Sequence, residues 1–248
     1  MQRRYVGDIV FLIDATGSMQ PAIDAIRYNI KHFFQRLFQE FEDWGRHGAL
    51  DWRARVVGYR DVEEDGDEWF VRNPFVRDVE AVESQLGALR ATGGGDVPES
   101  LLDALYKVAT FGNTERGTRE ENPEIWRFRS EAQRFVAVFT DAPFHPTTRL
   151  PEAPGLGWTD IADLVTRKRL CLFLFAPQMD CFDDLSEIDH CEYMGFPCDP
   201  GSGFGASREF ASFVSDSEFY RRLAHALFQR IDYPIMWDAY MDLDSDIL

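Results

Sequence analysis

The stretch that decides the fold is Val6-Gly7-Asp8-Ile9-Val10-Phe11-Leu12-Ile13-Asp14-Ala15-Thr16-Gly17-Ser18. Its apolar run is rich in Val, Ile and Leu and stops at an acid, as expected of a strand buried on both faces of a parallel sheet. Two hydroxyl residues follow Asp14 at alternate positions, with a glycine between them. The break therefore lies at a strand's carboxyl end, where open α/β sheets place their ligands. One carboxylate and two hydroxyls are hard oxygen donors suited to a small divalent cation.

Outward from this stretch, strands and helices alternate. Pro21 opens a long helix, because Ile23, Ile26, Ile30, Phe33, Phe34, Leu37, Phe38 and Phe41 recur at helical spacing up to about Trp44. Residues 53–59 read as a strand, 63–68 as an acidic turn and 69–75 as a short strand pairing back in a hairpin. A helix marked by Val79, Val82, Leu86 and Leu89 ends near Thr92, and Pro98 and Glu99 open another over 99–110. Residues 112–131 read as an exposed insertion. A buried strand over 134–140 ends, like the first, at an acid, Asp141. A helix over 159–166, a strand over 170–175, a short helix over 182–188 and a short edge strand over 191–196 follow. A helical pattern broken near Ser215 runs to Ile231, and residues 232–248 form an acidic tail.

No internal repeat or domain linker interrupts this alternation. It predicts a single α/β domain over residues 1–231, doubly wound, with a mostly parallel central sheet, one short antiparallel strand and helices on both faces. The 248 residues suffice for a substantial core. A net charge of −17 argues against a nucleic-acid binder and favours cations and basic partners. The longest apolar runs are strand length, which argues against a membrane partner, and the amino terminus has no apolar leader, which predicts a cytoplasmic protein. Cys171, Cys181, Cys191 and Cys198 are then expected as free thiols. The spacings of the last three, beside His190, match no common zinc module.

Three loops carry the candidate site: Asp14-Ala15-Thr16-Gly17-Ser18, Thr92-Gly93-Gly94-Gly95-Asp96-Val97-Pro98-Glu99 and Phe139-Thr140-Asp141-Ala142-Pro143. In a doubly wound sheet such loops gather along one edge, which would bring Asp14, Thr16, Ser18, Asp96 and Asp141 together. Grouped carboxylates repel one another and call for a cation. Each acid also has a plainer reading, since Asp, Ser and Thr cap helices, but the strand-to-acid breaks and the three acidic loops together favour metal.

In these loops the chain resembles the von Willebrand factor A (vWA) domain, in its bacterial and intracellular forms. That family's metal-ion-dependent adhesion site (MIDAS) reads Asp-x-Ser-x-Ser in its first loop, a Thr in its second and an Asp in its third. Here Thr16 keeps the hydroxyl of the middle position, and Asp141 fits the third loop. The second loop is similar to the Gly-Gly-Gly-Asp-x-Pro-Glu variant of intracellular members, including alpha-kinase-associated vWA proteins. Asp96 stands where a Thr is usual, with Thr92 just upstream as a rival ligand. The resemblance spans roughly residues 5–230. It implies a protein-binding adaptor or regulator, not an enzyme. Mg²⁺, or else Mn²⁺ or Ca²⁺, would sit on Asp14, Thr16, Ser18, Asp96 and Asp141, and a protein partner's Asp or Glu would fill its open position.

The rival reading is a Mg²⁺-dependent phosphohydrolase with Asp14 as nucleophile. Such enzymes need a second Asp two residues on, and Thr16 stands there. Near the site, His145 is read as a surface loop histidine in preference to a weak base or a group behind the metal ligands, Glu99 as a helix-start acid or a ligand of loop amides, and Asp61 as a partner of Arg60 or a neighbour with no chemistry of its own.

Overall fold

The computed structural model describes residues 5–46, 50–94, 97–198 and 206–232. Its strands are β1 (Tyr5–Asp14), β2 (Leu50–Tyr59), β3 (Phe70–Arg72), β4 (Gln133–Phe139), β5 (Leu170–Pro177) and β6 (Cys191–Phe196). They form one sheet in the order β3-β2-β1-β4-β5-β6. Every pairing is parallel except β2–β3, which is antiparallel. The helices are α1 (Gln20–Asp43), α2 (Val79–Ala88), α3 (Leu101–Ala109), α4 (Trp158–Arg167), α5 (Asp180–Ser186), α6 (Ala206–Phe213) and α7 (Ser217–Asp232).

The fold is α/β with helices on both faces, as the alternation predicts, and β1 explains why. Its side chains split by pleat. Ile9, Phe11 and Ile13 pack with Phe33 and Phe34 of α1, Val82 of α2, Phe210 of α6 and Leu223 of α7. Val10 and Leu12 face Leu101 and Leu105 of α3, Ile161 of α4 and Phe182 of α5. A strand apolar at successive positions needs cover on both sides. The amphipathic stripe of α1 supplies much of it on the first face. That helix ends where Gly45 turns to φ +68°. Gly45 N–H then donates to the Glu42 carbonyl and Arg46 N–H to that of Phe41, satisfying two carbonyls of the last turn.

β1 lies between β2 and β4, so the chain winds outward from β1 in one direction and from β4 in the other. The strand order therefore reverses between β1 and β4, and in open α/β sheets the carboxyl ends of strands at such a reversal are where ligands bind.

Three local outcomes differ from the sequence pattern. The hairpin strand expected over 69–75 is only Phe70–Arg72, after which Val76 makes an isolated bridge to Ala54. The helix expected from residue 99 begins at Leu101, because the Glu99 backbone is bonded to the loop after β4. Within 112–131, residues 115–124 are exposed, but Trp126 is fully buried and its indole N–H donates to the Val108 carbonyl at 3.0 Å. The acidic tail beyond Asp232 lies outside the described residues. Among the described residues no helix is long and apolar enough to cross a membrane.

Candidate metal centre

Asp14 is the last residue of β1 and is fully buried. One carboxylate oxygen accepts from Thr16 twice, from the backbone N–H at 2.9 Å and the hydroxyl at 2.7 Å. The other accepts the Thr140 hydroxyl at 2.9 Å. Ser18 lies in the 3₁₀ turn Gly17–Met19, and its hydroxyl donates to Asp141 Oδ1 at 3.1 Å. The first and third loops are thus tied together, and Asp14, Thr16, Ser18 and Asp141 converge.

The second loop joins them through its backbone. Thr92 N–H donates to the Ala15 carbonyl at 3.0 Å, and Gly17 N–H to the Gly93 carbonyl at 3.2 Å. Gly94 has φ +70°, and a Cβ there would stand 2.9 Å from Thr16 Cβ and 3.1 Å from Glu99 Oε1. Only glycine permits both this backbone and this approach. The Thr92 side chain is exposed, and Asp96 lies outside the described residues.

Burial pushes Asp14 up to about 7, helped by the charge of Asp141 and resisted by the Thr16 and Thr140 hydrogen bonds. Burial also raises Asp141, against the Ser18 hydrogen bond. Glu99 is pushed up to about 9, first by burial and then by Asp14, Asp61, Asp141 and Asp65. Desolvation and like charge act in the same direction here.

Neighbouring residues to which the sequence reading gave no metal-ligand role are bonded to one another beside these loops. His145 is buried, not a surface loop residue, and its Nε2 lies 2.8 Å from Asp61 Oδ2. Asp61, likewise buried, also accepts the Ser100 hydroxyl at 3.2 Å and the backbone N–H groups of Glu63 and Glu64. Burial raises Asp61, but His145 and those N–H groups outweigh it and hold it below the ordinary range. Asp65 then accepts Asp61 N–H and Gly94 N–H. One chain of bonds therefore links the loops after β2 and β4, the start of α3 and the glycine loop. Sequence reading missed Thr140 as well, although a hydroxyl beside a strand-ending acid was visible in Phe139-Thr140-Asp141.

The donor set of two carboxylates and two hydroxyls is of the hard oxygen type that fits Mg²⁺ or Mn²⁺. Among the described residues no three His, Cys, Asp or Glu side chains form a metal-holding group. The four cysteines are free thiols.

No family model matches the chain, and no curated protein matches it. Among solved structures it is similar to the VWA domain of SpRpn10, at 13% identity over 82% of this chain and 93% of that one, with a TM-score of 0.46. The pilus adhesin SpaC from Lactobacillus rhamnosus GG is similar at 11% identity over 91% of this chain but only 31% of its own length, with a TM-score of 0.49. Proximal thread matrix protein 1 from the mussel byssus follows at 15% identity over 87% of this chain and 49% of that one, with a TM-score of 0.46. At such identities and TM-scores these likenesses assign the chain neither a family nor a role.

Proposed function

We propose that this vWA-like chain is a protein-binding module that holds a divalent cation, Mg²⁺ or Mn²⁺, and presents it to an Asp or Glu of a protein partner. Asp14 and Asp141 would carry the charge and Thr16 and Ser18 would offer hydroxyl oxygens, with Asp96 or Thr92 from the second loop. One observation carries the reading. Among the described residues, every hydrogen bond reaching the Asp14 and Asp141 side chains from another residue comes from a hydroxyl or a backbone N–H, none from a cationic side chain. Buried carboxylates left in this state are costly unless they are neutralised. A cation removes both the desolvation penalty and the mutual repulsion. Each of the two hydroxyls spends its proton on a carboxylate and keeps lone pairs for a metal. Mg²⁺ retains water wherever the protein supplies no ligand, and a partner's carboxylate would enter there.

Binding is favoured over phosphoryl transfer by Thr16. It occupies the place of the acid/base, and it donates both its N–H and its hydroxyl to the would-be nucleophile. Calorimetric titration with Mg²⁺ and Mn²⁺ tests the reading, beside a phosphatase assay with p-nitrophenyl phosphate. Wild type should bind cation, Asp14→Asn should lose at least about a hundredfold in affinity, worth roughly 3 kcal/mol, and neither should turn over phosphate. Wild type that binds no cation would overturn the proposal, as would Mg²⁺-dependent turnover that disappears in Asp14→Asn.

A further inference from the structure

The amino end of the sheet gathers cations, although the chain carries a net charge of −17. Arg134 stands beside Leu170 in the β4–β5 register, and Arg167 and Lys168 end α4 just before that strand. Arg134 is buried, and among the described residues its guanidinium donates to neutral acceptors alone: the Arg127 and Lys168 carbonyls, at 2.6 and 3.2 Å, and Asn113 Oδ1 at 2.7 Å. The Arg167 and Lys168 side chains have no hydrogen bond or ion pair among the described residues. Lys168 is half-buried, and its ammonium is pushed below the ordinary lysine value, first by burial and then by the charges of Arg134, Arg129 and Arg167. Arg230, near the end of α7, reaches the same end of the sheet. Its Nη1 lies 3.5 Å from His190 Nδ1, just before β6, and the next residue, Ile231, has its Cδ1 3.2 Å from the point that a Gly7 Cβ would occupy. Arg169 and His190, in the turns before β5 and β6, take φ +55° and +65°, and among the described residues no other non-glycine residue has a positive φ. Two basic side chains are thus kept where glycine would relieve the backbone, the kind of strain that accompanies function.

Residues 233–248 follow α7 directly and carry Asp238, Asp242, Asp244 and Asp246, with no Lys, Arg or His. An extended chain from Arg230 to Asp238 reaches roughly 26 Å, whereas β5 lies only about 10 Å from β1 across two strand spacings. We propose that this acidic segment folds back on the amino end of the sheet and that its aspartates supply the counter-charge to Arg167, Lys168 and Arg230. The proposal is independent of the cation reading above. Its physical basis is the imbalance at Asp14 with the signs reversed: a half-buried ammonium among guanidiniums is costly without an anion. The tether holds the aspartates at an effective concentration on the order of millimolar, so an outside anion binds by displacing them.

Nitrogen-15 relaxation of the full chain tests this. The amides of residues 238–246 should show order parameters of about 0.8 at low salt and fall below about 0.6 in ~1 M NaCl, where charges are screened beyond about 3 Å. Arg167→Glu combined with Lys168→Glu should release the segment in the same way. Replacing the four aspartates by Asn should also release it and should shift the amide signals of Arg167, Lys168 and Arg169. Replacing them by Lys in the Arg167→Glu, Lys168→Glu chain should restore the order, because the charges are then exchanged. A segment that is disordered in wild type overturns the proposal, and heparin that shifts the same three amides would then make this end of the sheet an open site for an outside polyanion. Order that survives both salt and charge reversal overturns it too, since apolar side chains such as Trp237 would then hold the segment. If the charge-reversed chain fails to fold, the four-Asn variant, changed only outside the described residues, decides by the same two readouts.

Discussion

Asp8 and Asp14 lie on the same strand and are equally buried, yet their surroundings are opposite. Asp8, toward the amino end, is clamped by two arginines. Its oxygens accept Arg53 Nε at 2.9 Å and Nη2 at 2.8 Å, and Arg127 Nε at 2.7 Å and backbone N–H at 2.8 Å. Burial raises Asp8, but these arginines outweigh it and hold it below the ordinary carboxylate range. Asp14, at the carboxyl end, has hydroxyl and N–H donors but no arginine, and rises to about 7. The same residue type on the same strand thus serves two purposes. One acid finds its counter-charge within the chain and locks the base of the sheet. The other is left without a cationic partner, at the carboxyl edge where the strand order reverses.

The largest expected effect breaks the compensated end. Asp8→Ala leaves Arg53, only 2% exposed, as a buried cation without its carboxylate. Removing one partner of a buried pair costs roughly 3–5 kcal/mol, so urea unfolding should show a loss of that order. A loss below about 1 kcal/mol, the range of an exposed pair, would mean that the clamp contributes little and that the contrast is overdrawn.

The next effect sharpens the uncompensated end. Asp14 has a folded value above its ordinary 3.8, so its protonated form is favoured by folding. The metal-free protein should therefore lose stability as pH rises from about 4 through about 7. Asp14→Asn removes that loss and should become the more stable form by roughly 5–10 °C in melting temperature by pH 8. Saturating Mg²⁺ should reverse the order. Thermal melts across this pH range that run parallel for the two proteins would show that Asp14 is not strained by its burial.

The smallest effect concerns a single hydroxyl. Ser18→Ala deletes the 3.1 Å bond to Asp141 and one candidate ligand. Mn²⁺ affinity should fall about tenfold, or ~1.4 kcal/mol, with less than about 1 kcal/mol lost from the metal-free fold. An unchanged affinity would remove Ser18 from the ligand set and leave Thr16 as the only hydroxyl donor of the first loop.

Much of this was legible in the chain. The uninterrupted apolar runs of β1, β4 and β5 required cover on both faces, and the Ile and Phe spacing of α1 identified one layer of it. The acids ending two of those runs marked the candidate site, since a carboxylate buried at a strand end needs hydrogen-bond partners or a counter-charge. The helix start at residue 99 was misread because Pro98 and Glu99 suit a first turn locally, while the Glu99 backbone is claimed by Pro143 and His145 from a remote loop. His145 was misread for the same reason: nothing nearby in sequence announces Asp61 as its partner.

The sequence by itself determined the class of fold, the direction of the sheet and the acids at its carboxyl edge, because periodicity and strand-ending residues are local properties. Only the tertiary structure decided which acids were compensated. Counter-charges arrive from segments far apart in the chain, as Arg53 and Arg127 do for Asp8, and whether one arrives at Asp14 or Glu99 depends on which loops the winding of the sheet brings together.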